Sequence, residues 1–139
     1  MDATRARWLR RAFLAGAITD ALALVPMLVP PAARLLWGFE ATGGAYRFAM
    51  GYGASLMLGW TALLCWAWRR PLERAFVAPL TVLVIYGLVA TEIVAVARGA
   101  LALERMIPTW CLQTLLLGLF AGAYHQPTLR RWRHTPVAT

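Results

Sequence analysis

The fold class this sequence predicts is all-α: a four-helix transmembrane bundle with both termini cytoplasmic. Three observations predict it. The 139-residue chain is 60% hydrophobic and only 14% charged. Four long apolar stretches divide it, and every Arg-dense segment falls on the same side of their alternation. A soluble core of this size could not hide so much apolar surface, whereas a bilayer solvates it. The length suits a single domain over residues 1–139.

The candidate spans are Ala12–Val29, Phe48–Trp68, Val77–Ala97 and Ile107–Tyr124. Each is long enough to cross a hydrocarbon core ~30 Å thick at ~1.5 Å rise per residue. They must be helices, because lipid offers no partner to open backbone groups. A closed barrel needs alternating polarity, which these runs lack.

The first span should stop at Pro30-Pro31, since neither residue donates to an i−4 carbonyl. Ala32–Trp37 then forms a short helix in the outer interface, and Thr42-Gly43-Gly44 turns the chain back into the bilayer. The connection Arg69–Arg74 is short and polar, so the second and third spans are expected to form a tight antiparallel hairpin.

Arginine decides the orientation. All fourteen basic residues are Arg. Ten lie in the N-terminal segment (Arg5, Arg7, Arg10, Arg11), the central loop (Arg69, Arg70, Arg74) and the C-terminal segment (Arg130, Arg131, Arg133). Arg34, Arg47, Arg98 and Arg105 lie on the other side. The positive-inside rule therefore puts both termini in the cytoplasm and the protein in the cytoplasmic (inner) membrane. Trp37, Tyr46 and Trp110 match the outer aromatic belt; Trp8, Trp66, Trp68, Tyr124 and Trp132 match the inner one. Arg10-Arg11-Ala12-Phe13-Leu14 resembles a twin-arginine export core, but Asp20 interrupts it and three spans follow, which reads as a positive anchor.

A net charge of +8 in a soluble protein would suggest nucleic acid. Here the arginines flank apolar spans, so the expected partner is a bilayer with anionic headgroups at the cytoplasmic face, and no nucleic acid is expected. The absence of Lys excludes a Schiff-base cofactor. No nucleotide loop, catalytic triad or metal-ligand cluster is present, and no cofactor is expected. A haem between spans needs two placed ligands, and His125 stands alone at a span end. Cys65 and Cys111 fall at opposite faces of the bilayer, which rules out a disulfide between them.

Small residues mark packing faces. Gly51, Ser55 and Gly59 form one stripe, and Gly118 and Gly122 a GxxxG pair. Such spacing lets helix backbones approach closely; packing within the chain is the expected use, and contact with a second copy or partner membrane protein is the alternative. Ala12 and Gly16 continue the theme, with Asp20 next on that face.

Intramembrane polar residues supply the site candidates. An ionised Asp at mid-span costs roughly 2.5–3.5 kcal/mol. Asp20 is therefore either a proton or cation site, or a protonated carboxyl bonded to Ser55, Thr61, Thr114 or a carbonyl. Glu92 is expected to pair with Arg47 at the outer boundary, about 10 Å from Asp20 in depth. Gln113 lies just inside the outer end of the fourth span. Trp60 and Tyr86, with Met50 and Met57, could line a pocket, although ordinary packing is the simpler reading.

With four spans and an acid in the first, the chain is similar to the small multidrug-resistance transporters. It departs from them in its strong charge bias and long first external loop, so the likeness extends to Asp20 alone. The leading functional expectation is an accessory or structural membrane protein acting through helix packing. One alternative is a small proton- or cation-coupled transporter centred on Asp20. A second is a lipid-modifying enzyme using Glu92 and Arg47.

Overall fold

The computed structural model describes residues 2–39 and 43–125, and those residues fold into helices without a strand. The helices are α1 (Asp2–Leu28), α2 (Pro30–Trp37), α3 (Gly44–Arg69), α4 (Val77–Ala97) and α5 (Leu103–His125). Four of them, α1, α3, α4 and α5, are long and apolar enough to cross a membrane. Thr42 of the expected turn and Arg130, Arg131, Trp132 and Arg133 lie outside the described residues.

Local chemistry accounts for the boundaries. Between Asp2 and Pro26 nothing in α1 disfavours a helix strongly except Gly16, so the helix starts ten residues before the apolar stretch does. It ends where expected: Val29 is extended, and Pro30 and Pro31 occupy the first positions of α2, where a missing N–H costs nothing. Gly38 closes α2 in the left-handed conformation, its N–H donating to the Arg34 carbonyl at 3.0 Å. Gly43, extended, precedes α3.

α1 lies at the centre of the bundle. It packs most extensively on α3, then on α5 and α2, while α4 packs on α5. The spatial order α3–α1–α5–α4 corrects the expected hairpin: α3 and α4 are consecutive but touch only marginally. Their connection is tied locally instead. Arg70 pairs with Glu73 at 3.2 Å, and Arg74 donates to the Trp66 carbonyl with its guanidinium 3.6 Å from that indole's centroid.

The apolar core gathers toward the Arg-rich end, which carries the α1 N-terminus and the α3–α4 connection. It comprises Leu9, Phe13 and Ala17 of α1, Leu64 and Ala67 of α3, Val77, Ala78 and Ile85 of α4, and Leu116, Phe120 and Ala123 of α5, among others. Phe13 and Phe120 meet with ring centroids 6.0 Å apart. Gly16 makes that approach possible: a Cβ there would lie 3.0 Å from the Phe120 ring and 3.1 Å from Leu64.

The outside of the bundle is apolar too. Leu22, Leu35, Phe48, Leu56, Leu83 and Leu115 are all more than half exposed. In water so much exposed apolar surface would drive aggregation; in lipid it carries no such penalty.

Candidate functional site

Opposite the Arg-rich end, the helices are joined by polar groups. Glu92, on α4, accepts a hydrogen bond at each carboxylate oxygen, both from α5. Trp110 Nε1 donates to Oε2 at 2.9 Å, and Gln113 Nε2 donates to Oε1 at 2.9 Å. Trp110 and Gln113 are three residues apart, so one face of α5 delivers both donors. The arrangement serves an acid in an apolar medium well, because both oxygens are partnered and a cation is not needed.

Arg47 is not part of this site. It is exposed near the start of α3, and α3 and α4 barely touch, so the expected Glu92–Arg47 pair does not form. Arg70–Glu73 is the ion pair found among the described residues. Gln113, by contrast, is central: the residue is only 7% exposed, and its Oε1 is buried without a partner.

Asp20 is half-buried on α1 and makes no hydrogen bond or ion pair with any described residue. Its expected partners are engaged elsewhere or turned outward. Ser55 bonds the Tyr52 carbonyl, Thr61 bonds the Met57 carbonyl, and Thr114 is exposed. Trp60 packs against the core with its indole N–H buried and unpartnered.

The small residues divide differently from the expectation of internal packing. Gly51, Gly59, Gly118 and Gly122 have no atom within 4 Å of where a Cβ would sit. Ser55 is exposed on the same stripe of α3. Close packing inside the chain uses Gly16 and Gly53 instead; a Cβ on Gly53 would lie 2.8 Å from the Met27 methyl. The outward face of α5 also carries an open groove of about 550 Å³, lined by Trp8, Cys111, Thr114, Leu115, Gly118 and Leu119. It is not the hollow considered around Trp60 and Tyr86; Tyr86 is exposed and Trp60 belongs to the packing.

Two roles were not read from the sequence. Trp110 looked like a belt aromatic and is a ligand of Glu92. Arg105 donates to the carbonyls of Arg34 and Leu35 at 3.1 and 3.2 Å, neutralising the C-terminal carbonyls of α2 and tying that helix to α5. Its spacing from α2 gave no signal. Cys65 and Cys111 are free thiols, and no group of three metal-ligating side chains occurs among the described residues.

Comparison with family models, with curated proteins and with solved structures returns no match.

Proposed function

We propose that this chain is an accessory protein of the cytoplasmic membrane that acts by docking other transmembrane helices, with both termini in the cytoplasm. One observation carries the reading. The stripes Gly51–Ser55–Gly59 and Gly118–Gly122 lie open on the outer surfaces of two spans, while other glycines do the internal packing. Small residues on a lipid-facing surface let a second backbone approach and gain dispersion contacts that lipid tails fit less well. An open, shallow groove lies beside Gly118 on that face of α5. The occupant is a second copy or a partner membrane protein, and anionic lipid headgroups meet the arginines of the cytoplasmic face.

The test is substitution on the open faces. Gly59→Ile and Gly118→Ile have room for their side chains and should leave the monomer folded. They should shift the native complex, sized in mild detergent, to the mass of the free chain. A complex unchanged by both would contradict the reading.

Asp20 supports a second reading, a small proton- or cation-coupled carrier, because a half-buried acid without a partner can bind a cation. Substrate-driven proton movement in vesicles, lost in Asp20→Asn, would establish it; inert vesicles would retire it. The lipid-modifying alternative draws no support from the geometry, since Arg47 and Glu92 are held apart.

A further inference from the structure

The helix register brings two unpartnered groups to one level. Phe13 of α1 packs against Phe120 of α5 with the rings tilted. Seven residues further along α1, two turns on and nearly the same face, is Asp20; seven residues back along antiparallel α5 is Gln113. The Asp20–Gln113 position therefore repeats the Phe13–Phe120 contact two turns further from the Arg-rich end. Gln113 is fixed there by its amide N–H bond to Glu92, which leaves Oε1 as a buried acceptor with nothing to accept. An orphaned acceptor in lipid is costly, and on α1, the helix that packs on α5 there, the side chain at its level able to supply a proton is Asp20.

We infer that Asp20 is a proton-binding site whose protonated carboxyl donates to Gln113 Oε1, closing a hydrogen-bonded chain Asp20–Gln113–Glu92 across α1, α5 and α4. The proton carried by Asp20 is the ligand. Bound, it satisfies Gln113 and joins α1 to the α4–α5 pair. Released, it leaves the carboxylate and Gln113 Oε1 as two acceptors facing each other, and the contact opens. This proposal is independent of the outer glycine faces and of any partner.

The surroundings of Asp20 leave it as the titrating member on α1. From α3, Gly16 against Leu64 and Met27 against Gly53 set a register that brings Trp60 to the Asp20 level. Its indole N–H does not titrate and is free to meet the ionised carboxylate. The other ionisable groups of α3 lie elsewhere along it: Tyr46, Arg47 and Tyr52 beyond two turns on one side, Cys65 and Arg69 toward the Arg-rich end. On α5, Glu104 and Arg105 stand at the helix start, Cys111 is exposed and Tyr124 is at the far end. From α2, Arg34 is exposed. Glu92 of α4 reaches Asp20 through Gln113.

The full chain reconstituted in lipid tests this by pH-difference infrared spectroscopy. The expected result is a protonated-carboxyl band that disappears as pH rises, is missing from Asp20→Asn, and shifts in frequency in Gln113→Leu, which removes its acceptor. An Asp20 band unmoved by Gln113→Leu overturns the proposal. Should Gln113→Leu fail to fold, thermal unfolding of Asp20→Asn decides. Asn donates to Gln113 at every pH, so wild type and variant should melt together in acid and diverge as pH rises, with wild type lower, because its stabilising proton is lost. Melting curves that stay parallel across the pH range overturn it equally.

Discussion

The two ends of this bundle are held together by different physics. At the Arg-rich end Leu9, Phe13, Leu64 and Phe120 are fully buried and interlock through shape. At the opposite end the ties are hydrogen bonds: Trp110 and Gln113 to Glu92, and Arg105 to the last carbonyls of α2. In a bilayer this difference has consequences. Lipid is as apolar as a leucine core, so shape-based packing gains only what dispersion gives beyond lipid contact, and does so at every pH. Polar ties are favoured because their groups have no water to return to, and those that include an acid respond to protonation. One end is held by shape, and the other by hydrogen bonds.

Substitutions put that contrast to the test, each read as unfolding free energy in detergent or bicelles. The largest effect is expected from Phe120→Ala, which empties the centre of the shape-packed end and should cost about 3 kcal/mol. Gly16→Leu should follow at about 2 kcal/mol, because its side chain has to displace Phe120 and Leu64. At the polar end, Glu92→Leu strands two donors and should cost about 1–2 kcal/mol, with α4 separating from α5 before the rest unfolds. Arg105→Ala should cost less, about 0.5–1 kcal/mol, and act on α2 alone, since it removes a helix-end interaction. Smallest is Gly118→Ile, within about 0.5 kcal/mol, because it enters open space. If Glu92→Leu proved costlier than Phe120→Ala, the assignment of shape to one end and polarity to the other would be reversed.

How far the fold was legible follows from what lipid demands of a sequence. The four apolar stretches were readable because nothing else solvates them, and the third coincides with α4, Val77–Ala97. The start of α1 was not readable from hydropathy, because Arg5, Arg7, Arg10 and Arg11 are good helix formers and continue a helix past its apolar part. The neighbour relations were misread for a different reason. A short connection fixes only where two helix ends meet, and the close approach allowed by Gly16 and Gly53 drew α1 between α3 and α5. That same misreading assigned Arg47 to Glu92, when the donors came from α5. Gln113 was visible as an intramembrane amide, but its orphaned oxygen could be seen only with Glu92 in place. The glycine stripes were legible as small-residue stripes; which way they turned was not, because spacing says that a backbone can approach and not whose.

The outward stripes are where the account is most directly exposed to test. A photoreactive side chain placed in turn at Ser55, at Thr114 and at Leu83, irradiated in intact membranes, reports what lies against each face. Leu83 is 67% exposed on α4, outside both stripes, so it serves as the lipid-facing control. Adducts with another transmembrane chain, a second copy included, are expected at Ser55 and Thr114, and lipid adducts alone at Leu83. Lipid adducts alone at all three positions would contradict it.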